Sequence, residues 1–117
     1  MAERVPDDLP IFVLWTEFLA WLLPTTEKFP HKVRFTLANR LDNLALDMVE
    51  DLVEARYTRD KRASLTRANL RLEKLRVLLR LCHTLGYLPH ARYEHAMRAI
   101  NQVGQMLGGW HRQQEER

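Results

Sequence analysis

The stretch KRASLTRANLRLEKLRVLLRLCHTLGYL, residues 61–88, decides the fold. Leu65, Ala68, Leu72, Leu75, Leu79, Cys82 and Gly86 follow one another in steps of three and four. That is the spacing of a helix seam buried against other helices. At about 100° per residue the seam spans roughly a third of the circumference. Arg67, Arg71 and Lys74 form a basic stripe on one flank, and Arg62, Arg76 and Arg80 form another on the opposite flank. Leu70, Val77 and Leu81 lie away from the seam. A helix in a lone bundle needs one apolar face. This one has two, with arginine between them, which points to partners rather than to catalysis.

Upstream, residues 34–58 carry a second seam in Leu41, Ala45, Met48, Leu52 and Ala55, with Asp47, Asp51 and Glu54 as an acidic stripe beside it. The short polar turn RYTRDKR at 56–62 makes the two helices antiparallel neighbours and sets the acidic stripe against one basic flank. Exposed pairs of this kind contribute only about 0–1 kcal/mol each, so they do not account for the excess of positive charge. A first helix, 9–26, is apolar nearly all round, with Asp8 as N-cap, Pro10 in its first turn and Pro24 ending or kinking it. Residues 25–31 are a connection. Gly86 caps the third helix, and Pro89 opens a fourth over 89–108 whose seam is Tyr93, Met97, Ile100, Gly104 and Leu107. Gly104 in mid-helix costs about 1 kcal/mol against alanine, which the close approach of another backbone would explain. Gly108–Gly109 stops that helix, Trp110 folds back on the bundle end, and the tail 111–117 is flexible, as is the lead-in 1–8. The expectation is all-α: a single domain, 1–117, forming an up-down-up-down antiparallel four-helix bundle.

Composition narrows the rest. The chain has 117 residues, long enough for one core without staples. Its one cysteine cannot make an intramolecular disulfide, the pattern of a reduced, cytoplasmic protein. The apolar run 9–23 is interrupted by Glu17, is preceded by acids and lacks a cleavage site; it is a buried helix, neither a leader nor a membrane span. The net charge of +3 is unevenly spread: the segment 61–90 sets seven cations against the single acid Glu73. Such asymmetry points to one basic surface facing an acidic partner, with nucleic acid the commonest kind.

Several stretches resemble a known family. PIFVLWTEFLAWLLPTTEKFPHKVRFTL, LALDMVEDLVEARY, LEKLRVLLRLCHTLGYL and the closing VGQMLGGW are similar to the accessory variability determinant (Avd) proteins of diversity-generating retroelements. Glu27-Lys28-Phe29-Pro30, Arg34-Phe35-Thr36-Leu37, Leu85-Gly86-Tyr87 and Leu107-Gly108-Gly109-Trp110 are its most specific parts. Leu88-Pro89 departs from the pattern, where a serine-type cap is expected. The resemblance implies a four-helix protomer assembling into a pentameric ring with a positive surface. It also implies a non-catalytic role as partner of the retroelement's reverse transcriptase and of its template-repeat RNA or cDNA, without cofactor or membrane. The four-helix proteins encoded in ribosomal RNA intervening sequences share the fold and a similar ending, and are the competing family.

Candidate residues follow from charge and periodicity. Arg67, Arg71, Lys74, Arg76 and Arg80 are the candidate phosphate contacts, with Arg34, Arg40, Arg56, Arg59, Lys61 and Arg62 extending the surface toward the bundle ends. Leu70, Val77, Leu81, Trp15 and Trp21 are candidates for the oligomer or partner interface, because left exposed they would form a patch larger than monomers usually carry. His31, His83, His90, His95 and His111 show no metal-ligand spacing. Asp47, Glu50, Asp51 and Glu54 read as a solvated helix face. Arg76 and His83, seven apart on one face, match the Arg-x6-His pattern of HEPN ribonucleases, the one enzymatic alternative.

Overall fold

A computed structural model of the chain describes residues 9–115, so the expected cap at Asp8, the lead-in 1–8 and residues 116–117 lie outside the described residues. The elements are α1 (Pro10–Glu27), a 3-10 turn (His31–Val33), a π-helical turn (Arg34–Ala38), α2 (Asn39–Tyr57), α3 (Arg62–Thr84) and α4 (His90–Glu115). α1 packs on α2 and α4, and α3 packs on the same two from the other side. Paired residues run in opposite directions: Asp51 meets Arg67 while Asp47 approaches Arg71, and Arg76 meets Asn101 while His83 meets Tyr93. α1 and α4 close the bundle through Trp21 against His95. The described residues thus form the antiparallel four-helix arrangement that seams and short turns demand.

The core consists of the predicted seams. Leu65, Ala68, Leu72, Leu75, Leu79 and Cys82 of α3 are fully buried, as are Leu41, Ala45, Met48, Leu52 and Ala55 of α2. Ile100, Val103 and Leu107 of α4 complete the interior with Trp15, Phe18 and Leu22 of α1. Each such large side chain contributes about 1.5–3 kcal/mol. In α4 the seam shifts from the expected Tyr93 and Met97 to Ala96, with both larger residues packing at the core edge. Gly104 faces the Leu72 side chain, 3.3 Å from where a Cβ would stand, rather than another backbone.

Helix ends show where local rules held and where tertiary packing overruled them. Pro10 begins α1, with Leu9 in N-cap position. Pro24 does not end this helix, which continues to Glu27. Thr25 and Thr26 are buried beyond it and turn their hydroxyls back onto the Trp21 and Leu23 carbonyls, at 2.7 and 3.2 Å. Burial anchors this last turn, and the Thr26 hydroxyl also ties it to Asp42 of α2, so the proline is tolerated.

At the end of α3, Gly86 adopts φ +85°, the left-handed geometry that glycine tolerates best. The Gly86 N–H donates to His83 and the Tyr87 N–H to Cys82, a Schellman closure. Pro89 sits one residue before α4, as the carbonyl acceptor of its first turn, instead of inside it. The largest correction is at the other end: α4 runs through Gly108 and Gly109 to Glu115. Leu107 is buried, Trp110 packs against the core, and both glycines keep negative φ. Burial of these two side chains outweighs the roughly 1 kcal/mol that each glycine costs a helix. Hence residues 111–115 are helical where a flexible tail was expected.

Candidate nucleic-acid interface

The basic residues of α3 divide by what faces them. Asp51 is buried on α2, and its carboxylate accepts from Arg67 Nε at 3.2 Å and from Arg71 Nη1. Arg67 also donates to Glu54 at 2.6 Å, and Arg71 lies 4.0 Å from Asp47. Hydrogen bonds donated to Glu54 and Asp51 hold the Arg67 guanidinium above its ordinary range. The acidic stripe of α2 therefore takes up two of the three cations on this flank. Lys74, the third, is exposed and has no partner among the described residues.

On the opposite flank Arg62 forks onto Asp60, at 3.1 Å to each carboxylate oxygen. Arg76 donates to Glu73 at 3.3 Å and to the Asn101 side-chain oxygen. Arg80 is exposed, with no partner among the described residues. Of the five candidate phosphate contacts, Arg67, Arg71 and Arg76 are thus engaged within the chain, while Lys74 and Arg80 meet no partner among the described residues. The pairing of the second helix's acidic stripe with one basic flank follows the expectation from the short turn; the engagement of Arg76 by Glu73 and Asn101 on the other flank does not come from periodicity.

Lys61 is a structural cation. Its Nζ donates to the carbonyls of Ala55 (2.7 Å) and Thr58 (2.8 Å), closing the end of α2, and lies 6.0 Å from the Trp110 ring. Arg56 stands over the Phe12 ring at 5.4 Å. By contrast Arg34, Arg40 and Arg59 are exposed and have no partner among the described residues.

Leu70, Val77 and Leu81 are 53%, 54% and 42% exposed, an apolar stripe on the outer face of α3 with Lys74 and Arg80 at its borders. Trp15 does not belong with them. It is 1% exposed and donates its indole N–H to the Ala45 carbonyl at 2.9 Å, so it holds α1 to α2 inside the bundle. Trp21 is half-buried against Phe18 and His95 and lines a cleft with Leu14, Glu17 and Arg98. An all-round apolar helix does not reveal which of its tryptophans turns inward; the packing of α2 decided it.

The structure assembles no catalytic pair from Arg76 and His83. The guanidinium is held by Glu73 and Asn101, whereas the His83 ring stacks on Tyr93 at 4.5 Å. Among the described residues no group of three His, Cys, Asp or Glu side chains is placed to hold a metal. Burial pushes the Cys82 thiol up to about 11, which makes it a poor nucleophile. No helix among the described residues is long and apolar enough to cross a membrane.

Lys28 and Lys32 add to the surface that Arg34 and Arg40 were expected to extend. Residues 28–40 carry Lys28, Lys32, Arg34 and Arg40 with no acid among them, a signal readable in the sequence. All four cations are exposed at the end of the bundle where α1 passes into α2. Comparison with known proteins adds one match: a family model described as bAvd-like covers residues 13–114. A search of curated proteins finds no match.

Proposed function

Because the chain belongs to the bAvd-like family, we propose that it is a non-catalytic accessory protein of a diversity-generating retroelement. In this reading it binds the element's reverse transcriptase and template RNA and supports mutagenic cDNA synthesis. The observation that carries the reading beyond family membership is the outer face of α3. Leu70, Val77 and Leu81 remain exposed in the folded protomer, and Lys74 and Arg80 beside them have no partner among the described residues. An apolar stripe edged by uncompensated cations suits a subunit contact that leaves positive charge at its rim.

Assembly into a pentameric ring is part of the proposal, with Leu70, Val77 and Leu81 at the contact between copies. Light scattering after size exclusion is the test. The parent chain is expected to run as a pentamer and a Leu70→Glu, Val77→Glu variant as a smaller, still helical species. A parent monomer at micromolar concentration would refute the ring. RNA binding is tested by salt titration. Affinity should fall steeply with salt, with a log–log slope set by the number of phosphates contacted; a flat response would remove the nucleic-acid role. An adjacent reverse transcriptase gene with a template and variable repeat supports the retroelement, whereas an insertion in a ribosomal RNA gene points to the competing family.

A further inference from the structure

Phe35 is 79% exposed, the most exposed large apolar side chain among the described residues, and it stands within the basic run 28–40. The π-helical turn Arg34–Ala38 carries it as a ridge between two open clefts. Arg34, Thr26 and Asp42 line one cleft, Arg40 and Asn43 line the other, and Asn39 borders both. The Asn39 and Asn43 side chains are exposed; the Asn43 amide donates to Asn39 Oδ1 at a long 3.5 Å, and both keep further donors and acceptors. Each side of the aromatic ring therefore has a guanidinium with no partner among the described residues, and the two amides stand beside it.

We propose that this end of the bundle binds an unpaired nucleic-acid strand, with a base stacked on Phe35. Arg34 and Arg40 meet phosphates on either side of that base, and Asn39 and Asn43 bond its edge. The proposal rests on the nucleic-acid reading above and adds the site and the form of nucleic acid. A single protruding ring can stack only on a base whose face is open, which a duplex interior does not offer. Lys28 and Lys32, on the connection leading into the π-helical turn, enlarge the positive field around the strand. Phe29 packs on Tyr87 at 6.1 Å, which brings the connection after α3 to the same end of the bundle.

The acids near Phe35 are partly accounted for. Asp42 accepts from the Thr26 hydroxyl at 2.7 Å, and burial pushes its carboxyl up toward the neutral form. Asp47, at the far side of the second cleft, leans toward Arg71. Glu27 remains exposed on the rim of the first. A protein partner would be expected to bury a wider apolar area than one ring between cations, so the unpaired strand is the occupant favoured.

Fluorescence anisotropy with the full chain tests this, using a short unpaired RNA oligonucleotide and a duplex of the same sequence. Phe35→Ala should weaken binding of the unpaired RNA about tenfold or more and leave the duplex unaffected, while Phe35→Trp restores it. Arg34→Gln with Arg40→Gln should reduce the salt slope by about 1.4, two phosphate contacts at roughly 0.7 each. Circular dichroism checks that the variants keep their helices. Unchanged binding by Phe35→Ala, alongside loss in a Lys74→Glu, Arg80→Glu variant, overturns this site and leaves the accessory function standing. Loss of the reverse transcriptase with RNA affinity intact also overturns it, and makes Phe35 a protein contact. A parent chain that binds no RNA removes both readings.

Discussion

Replacing Arg71 by methionine asks whether the middle of α3 serves the fold or a partner. Methionine keeps an unbranched apolar stem and removes the guanidinium. The Arg71 side chain is only 28% exposed, and its Nη1 donates to a carboxylate, Asp51, that is 5% exposed. A hydrogen bond to a charged group contributes about 1.5–3 kcal/mol, and Asp51 would keep Arg67 as its remaining partner. The expected loss is therefore about 2 kcal/mol. With a urea m-value of about 1–3 kcal/mol/M for a chain of this size, the midpoint should fall by roughly 1 M. Protein concentration must be held constant, because assembly would add to apparent stability. Adding Asp51→Asn should recover part of the loss, since the pair are in direct contact and their effects are not additive. RNA affinity should stay near the parent value. An unchanged urea midpoint together with weakened RNA binding would refute the reasoning and return Arg71 to the nucleic-acid surface.

Other consequences are checked by the same unfolding measurements. Leu75→Ala removes a fully buried seam residue and should cost about 2–5 kcal/mol. Gly108→Ala and Gly109→Ala should each stabilise by about 0.5–1 kcal/mol, because both positions are helical and an added Cβ meets only the Arg112 side chain; destabilisation would show that α4 ends there. Asp42 is raised by burial, so the folded state holds its proton more tightly than the unfolded chain. Its contribution is most favourable below the unfolded carboxylate pKa and is lost as pH rises through the folded value. Asp42→Asn should accordingly gain stability at neutral pH relative to the parent, with the difference shrinking in acid. Cys82, with its thiol pushed up to about 11, should resist a thiol reagent at pH 8 until urea unfolds the chain; prompt labelling of the native protein would contradict its burial.

Much of the architecture was legible because helix seams are written locally. The three-and-four spacing of Leu65 to Cys82 identifies a buried face without any knowledge of what covers it. Gly86 announces its own turn, since the left-handed conformation it adopts disfavours side chains with a Cβ. Breakers were less decisive. Pro24 and the Gly108–Gly109 pair each impose a cost of a few kcal/mol or less, and buried neighbours such as Thr26 and Leu107 outweigh it. The candidate site was less legible still. Charge is visible in a sequence, but whether it is free depends on which residues of another helix lie opposite.

By itself the sequence determined the helical class, the seams, the antiparallel order of neighbours and the location of its positive charge. The sequence also set the acidic stripe of α2 against one basic flank of α3, but tertiary structure decided which individual cations are engaged. Arg67 and Arg71 spend their donors on Asp51 and Glu54, Arg76 on Glu73 and Asn101, and Lys61 on the end of α2. Among the described residues, Lys74, Arg80 and the cations of the run from Lys28 to Arg40 meet no such partner. The physical reason is one of range. Apolar burial follows from the period of a single helix, whereas the pairing of a charge needs a partner within about 4 Å, and distant parts of the chain supply it only once the bundle has closed.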